Sequence, residues 1–221
     1  MNKKNLVILI LIAIPAAYSV SKMNFANKNG LKESSSIFYS KNDSLDKMCC
    51  VQLAPSKISE NSVYQMDADW IDENGREMKL SELRGRNIIL TMSYASCKTV
   101  CPVMVSYMKA VENEIPSGRL SKYKFVLVTI DPVKDTPGKL RQYAKEHNLA
   151  PANWILLTGK KDDIATLAEM IGFNYKQNPD GTFSHANLIT FLDSEGNIVH
   201  QSDGLYQNVK KLAGILKQQN L

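Results

Sequence analysis

With 221 residues, 44% hydrophobic and 22% charged, the chain has room for one well-packed domain with short appendages, and its composition excludes a wholly disordered or multi-span membrane protein. The net charge of +5 is spread among acids, with no basic run interleaved with aromatics, which argues against nucleic-acid binding.

In chain order, Lys3 and Lys4 precede an uncharged stretch, Asn5 to Val20, whose centre Leu6 to Ile14 is strongly apolar. Residues 1–20 are therefore expected to direct export, in one of two ways. Either they form a cleaved signal peptide, with Ala17 and Ser19 as the small residues before the cut, or an uncut single-span membrane anchor. The run is shorter than the roughly 20 residues a bilayer asks for, and Pro15 interrupts it, which favours cleavage. The expected location is the periplasm or the extracytoplasmic face of the inner membrane. There a cysteine pair forms a disulfide unless a metal or a dedicated thiol reductant holds it open. Residues 21–61 are rich in Ser, Asn and Lys and read as a flexible tether. The tether carries Cys49 and Cys50, neighbours that bridge each other poorly. Transient metal capture, pairing with another thiol and no role at all stay open for them.

Patterned sequence begins near Val63, and residues 62–218 are expected to form the domain. It opens with a hairpin around Glu73-Asn74-Gly75, read as an N-terminal addition. "NIILTMSY" (Asn87 to Tyr94) and "KFVLVTI" (Lys124 to Ile130) are β-branched apolar runs suited to buried parallel strands. Each precedes a helix: Pro102 to Glu114, with Val105, Met108 and Val111 on one face, and Pro137 to Glu146. A strand at Trp154 to Leu157, a helix at Lys161 to Ile171, a hairpin of "ANLITFLD" and "NIVHQ", and a helix at Gln207 to Lys217 complete the chain. Alternating strands and helices closed by a hairpin and a helix predict an α/β thioredoxin-like three-layer sandwich.

The sharpest chemical signal is "SYASCKTVCPVM", with Cys97 and Cys101 at a strand-to-helix junction. Their spacing is expected to place both sulfurs on one side of a first helical turn, near the surface, where the amides and dipole of the helix stabilise thiolate. Two thiolates make a redox couple but leave a metal under-coordinated. Three histidines compete to supply a third donor. His147 in "RQYAKEHNL" reads as a surface residue, and His200 as surface or hairpin packing. His185 stands just before the apolar strand that, in a thioredoxin-like sheet, starts beside the active-site helix. Two soft sulfurs and one imidazole suit copper(I), and with further donors copper(II); structural zinc normally takes four protein ligands. A plain dithiol oxidoreductase is the main rival. Such enzymes place a cis-proline opposite the cysteines, and no proline occurs between Gly181 and Leu188. Asp131 in "TIDP" is read as orienting the cysteine loop or capping a turn. Met92, Met104 and Met108 are read as core.

These motifs, with "TIDPVKDTP", "WILLTGKKDDIATLA" and "FSHANLITFLDSEGNI", make the region from about Ser62 to Leu216 resemble the SCO/SenC family of copper-binding assembly proteins for cytochrome c oxidase. The resemblance implies copper held by Cys97, Cys101 and His185. It further implies delivery to, or maturation of, the copper-site subunit of a respiratory oxidase or another copper protein. Thiol-disulfide reduction of a target's copper-ligand cysteines and copper or redox sensing, which use the same residues, stay open as alternatives. Lys98-Thr99 replaces the Pro-Asp found between the cysteines of many members.

Overall fold

The structure is a computed structural model and describes residues 59–98, 100–203 and 208–218. The expected export segment, nearly all of the tether, and Cys49 and Cys50 lie outside the described residues. Among the described residues no helix is long and apolar enough to cross a membrane.

Strands β1 (Trp70–Asp72) and β2 (Glu77–Met78) are followed by β3 (Asn87–Ser93), α1 (Val100–Glu114), the short α2 (Ser117–Leu120) and β4 (Tyr123–Thr129). Then come α3 (Pro137–Glu146), β5 (Trp154–Gly159), α4 (Lys161–Met170), β6 (Tyr175–Gln177), β7 (Phe183–His185), β8 (Leu188–Leu192), β9 (Ile198–Asp203) and α5 (Val209–Gln218). Seven strands form one sheet in the order β2-β1-β5-β4-β3-β8-β9, and β6 and β7 form a separate ribbon. β3, β4 and β5 are parallel, while β8 joins β3 antiparallel. The apolar runs foreseen for β3 and β4 are central strands, buried on both faces, as a parallel sheet covered by helices requires.

Strand alternation sorts the core into two layers. Ile89, Phe125, Leu127, Trp154, Leu156, Ile189 and Phe191 pack with α1, α3 and α5. Ile88, Leu90, Met92, Val126, Val128, Leu157 and Leu192 pack with α4 and the N-terminal residues Val63 to Leu83. The result is the expected three-layer α/β sandwich. Met92, Met104 and Met108 are fully buried in these layers, as their spacing implied. The β1–β2 pair turns over Asp72, whose carboxylate accepts the Asn74 and Arg76 amides, with Gly75 at φ 86° supplying the left-handed residue.

β3 and β4 run parallel, so the loops after Ser93 and Thr129 emerge side by side at the carboxyl ends of the central strands. Open α/β sheets gather their sites at this edge.

Candidate metal centre

The loop after β3 carries Cys97, and α1 carries Cys101. The helix begins at Val100, two residues before the proline expected to start it, so Cys101 lies inside the first turn and Cys97 lies outside the helix. The two sulfurs thus come from a loop and a helix, not from one helical turn. Neither sits at the surface: Cys97 is 8% exposed and Cys101 is fully buried, both as thiols. Burial pushes the Cys101 thiol up to about 12, outweighing the hydrogen bonds that pull it down. The expected stabilisation of thiolate is not met at Cys101, where desolvation of the charged form outweighs the hydrogen bonds that favour it.

His185 arrives from a different part of the fold. It ends β7, opposite Tyr175 of β6, on the ribbon that is separate from the main sheet; β8 starts only at Leu188. Its Nδ1 lies 2.8 Å from the Ala186 carbonyl oxygen, which accepts a hydrogen bond from Nδ1–H and leaves the Nε2 lone pair facing inward. Nε2 is 3.6 Å from the Cys101 sulfur. Aromatic rings fix the imidazole plane: Phe173 stacks on it at 5.9 Å between centroids and Tyr94 meets it edge-on at 5.9 Å. Phe183 packs on Tyr94 at 5.3 Å and extends the wall.

One donor atom from each of Cys97, Cys101 and His185 lies within 4.8 Å of the others. Metal bonds of roughly 2.0–2.3 Å to nitrogen and sulfur put three donors in a plane about 3.5–4 Å apart, so the cluster closes on a metal with small side-chain adjustments. Among the described residues no other group of three such donors forms.

The loop holding Cys97 is braced from β4. Asp135 Oδ2 accepts the Ala95 amide at 2.8 Å and the Thr129 hydroxyl at 2.6 Å, and that hydroxyl accepts the Asp131 amide at 3.0 Å. Burial raises the Asp135 carboxyl above the usual aspartate value, and the Thr129 and Ala95 hydrogen bonds partly offset it. Asp131 instead caps its own turn, its side chain and carbonyl accepting the Lys134 amide. Of the two roles open to Asp131 in the sequence, orienting the cysteine loop belongs to Asp135, which the sequence did not single out. The spacing in "DPVKDTP" was visible, but which aspartate reaches back to the cysteine loop depends on how the two loops pack.

A family model described as SCO1/SenC matches residues 57–219. The chain belongs to the SCO1/SenC family. A curated Stutzerimonas stutzeri relative with a copper-binding description is 25% identical over 143 residues, covering 63% of this chain and 68% of its own. The further SCO relatives from Rickettsia felis, Rickettsia conorii and Bacillus subtilis are matched over 64%, 64% and 61% of their lengths, somewhat under two thirds. Arabidopsis thaliana ScoI, solved with copper bound, superposes with a TM-score of 0.62 at 24% identity over 69% of this chain and 96% of that one. BsSco, described as a member of the Sco family of cytochrome c oxidase assembly proteins, superposes with a TM-score of 0.59 at 19% identity over 67% of this chain and 88% of that one. These superpositions fix the SCO1/SenC chain as thioredoxin-like in fold.

The remaining histidines are bystanders to the cluster. His147 is half-buried where a surface position was expected, because it closes the end of α3 with its ring 4.2 Å from that of Tyr143. His200 packs on Phe191 across the β8–β9 hairpin at 5.6 Å.

Proposed function

We propose that this SCO1/SenC protein is a copper carrier. It takes up copper(I) between Cys97, Cys101 and His185 outside the cytoplasm and passes it to the copper-site subunit of a respiratory oxidase or another copper protein. The observation that carries this reading is the convergence of two sulfurs and one imidazole nitrogen from three separate segments. The donor set is soft, and a three-coordinate cuprous ion leaves room for an incoming ligand. The copper-binding description of the Stutzerimonas relative and the oxidase-assembly description of the Sco family point the same way.

In this reading Cys101 is the interior anchor and Cys97, on its loop, is the ligand nearer the surface. Loading displaces the thiol proton from each sulfur into solvent. The Nδ1–H hydrogen bond to the Ala186 carbonyl oxygen leaves Nε2 as the ring nitrogen that faces the sulfurs. Transfer proceeds as a partner's thiolate or imidazole enters while Cys97 leaves, so the ion is never free. Thiol-disulfide exchange through the same two cysteines remains the alternative reading, and burial of Cys101 leaves Cys97, on its loop, as the more accessible sulfur for it. The N-terminal residues 1–20 are proposed to place the domain on the extracytoplasmic side, by cleaved export or as an anchor.

Titration of the reduced full chain with copper(I) against a competing chelator tests the site. Cys97→Ser and Cys101→Ser are each expected to abolish the high-affinity site while the far-ultraviolet circular dichroism stays native. Wild-type affinity in either variant overturns the shared site. A compartment-sensitive reporter fused after Leu221 tests the address, and activity of a cytosol-only reporter there overturns export.

A further inference from the structure

Alongside the ribbon that carries His185 runs an open groove of about 670 Å³. Its floor is the small-residue face of α4, Ala165 and Ala168. One wall is the loop after β4, where Val133 is 85% exposed, and the other is β6 with Phe173 and Phe183. Among the described residues β6 has a single neighbour, β7. The Ala186 amide donates to the Asn174 carbonyl and the Asn178 amide to the Thr182 carbonyl, with Tyr175 opposite His185. Hydrogen-bonded positions alternate along an antiparallel pair, so Asn174, Lys176 and Asn178 face β7, and the backbone N–H and C=O of Tyr175 and Gln177 point to the open edge. Lys161, Lys176 and the acidic Glu169 line the same groove; neither lysine has an ion-pair partner among the described residues, and the two outweigh that one carboxylate. Lys134, by contrast, is engaged with Asp131 and with the Gly181 carbonyl, which ties the ribbon's turn to the opposite wall.

We infer that this groove docks an extended partner segment of alternating apolar and acidic residues, which adds to β6 as a third strand of the ribbon. Unpaired donors and acceptors on a strand edge are a template for an extended chain. The apolar floor and the exposed Val133 accept side chains from one face of that strand, and the two lysines accept carboxylates. An edge strand recessed between a helix and a loop fits a polypeptide better than it fits a flat lipid surface. Phe173 and Phe183 are shared between the groove and the His185 site, so an occupant lies directly behind the imidazole and brings its own protein to the cluster. The inference does not depend on the copper reading, since Lys161, Lys176 and Ala165 contribute none of the three donors.

The test uses the full-length chain and, as probe, a capped eight-residue peptide alternating valine and glutamate, with a control in which the four valines precede the four glutamates. The alternating peptide is expected to bind saturably by fluorescence anisotropy and to slow amide hydrogen exchange at Tyr175 and Gln177 by roughly tenfold or more. The double variant Lys161→Glu/Lys176→Glu is expected to weaken binding at least about tenfold, and Ala165→Phe, at an exposed position, to block the floor with similar effect. Copper uptake by these variants is expected to match the wild type, which separates failure of this surface from failure of the metal site. No saturable binding at about 1 mM peptide overturns the inference. So does binding that leaves the two amides unprotected or survives the charge reversal. Binding of phosphatidylglycerol vesicles through the two lysines, in place of the peptide, would make the groove a membrane contact and overturn it equally.

Discussion

Replacing Asp135 with alanine removes the acceptor that ties the cysteine loop to β4. In the native protein one carboxylate oxygen takes the Ala95 amide at 2.8 Å and the Thr129 hydroxyl at 2.6 Å, both at the buried end of the sheet. A hydrogen bond to a charged group contributes about 1.5–3 kcal/mol, and an orphaned buried donor costs about 1–3 kcal/mol. Against this stands the cost of burying the carboxylate, which is what raises its pKa. The net expectation is a loss of about 2–3 kcal/mol. For a domain of this size that lowers Tm by roughly 4–12 °C. Thermal unfolding followed by circular dichroism at neutral pH measures it. Copper(I) affinity is expected to fall as well, by less than in the cysteine variants, because Cys97 is loosened and not removed. A Tm within about 2 °C of wild type, with unchanged copper affinity, would show that Asp135 neither supports the fold nor positions the loop.

Asp135→Asn tests the sign of the same interaction. A carboxyl whose folded pKa is raised stabilises most below its unfolded value, near 4, and loses that contribution as pH rises towards the folded value. The wild type minus Asp135→Asn stability difference is therefore expected to decline over that window, and a rising or flat difference in chemical denaturation contradicts the burial argument. The Cys101 thiol, near 12, remains protonated through neutral pH, so copper(I) affinity is expected to rise about tenfold or more per pH unit between pH 6 and 9. A pH-independent affinity by chelator competition would mean that this thiol is not a ligand. His185→Ala is expected to keep both thiols and their capacity to form a disulfide while lowering copper affinity at least about tenfold; unchanged affinity rejects His185 as a donor. At Gly196, φ is 80° and an added Cβ would meet Ser62 Oγ at 2.6 Å and the Tyr64 ring at 2.7 Å. Gly196→Ala is accordingly expected to cost about 2 kcal/mol or more in urea unfolding, with the copper site unaffected.

The sequence alone determined the architecture, because that rests on local periodicity. The buried runs of β3 and β4, the proline that opens α3 and the alternation of strand with helix were legible, with element ends placed to within two residues. The three candidate donors could be named as well, the cysteines from their type and place at a strand-to-helix junction and His185 from its place just before an apolar strand. What only the tertiary structure decided is the environment of those donors. Burial is a sum over neighbours from distant segments, so the sequence placed Cys101 at a surface turn as a ready thiolate, whereas packing encloses it and keeps it protonated. The β6–β7 ribbon escaped notice because its strands are only three residues long, too short for an alternation to register. Yet that ribbon sets the imidazole opposite Cys101 and opens the groove behind it. Asp135 escaped for a related reason: its partner amide is forty residues earlier in the chain, and only the parallel pairing of β3 with β4 brings the two loops together.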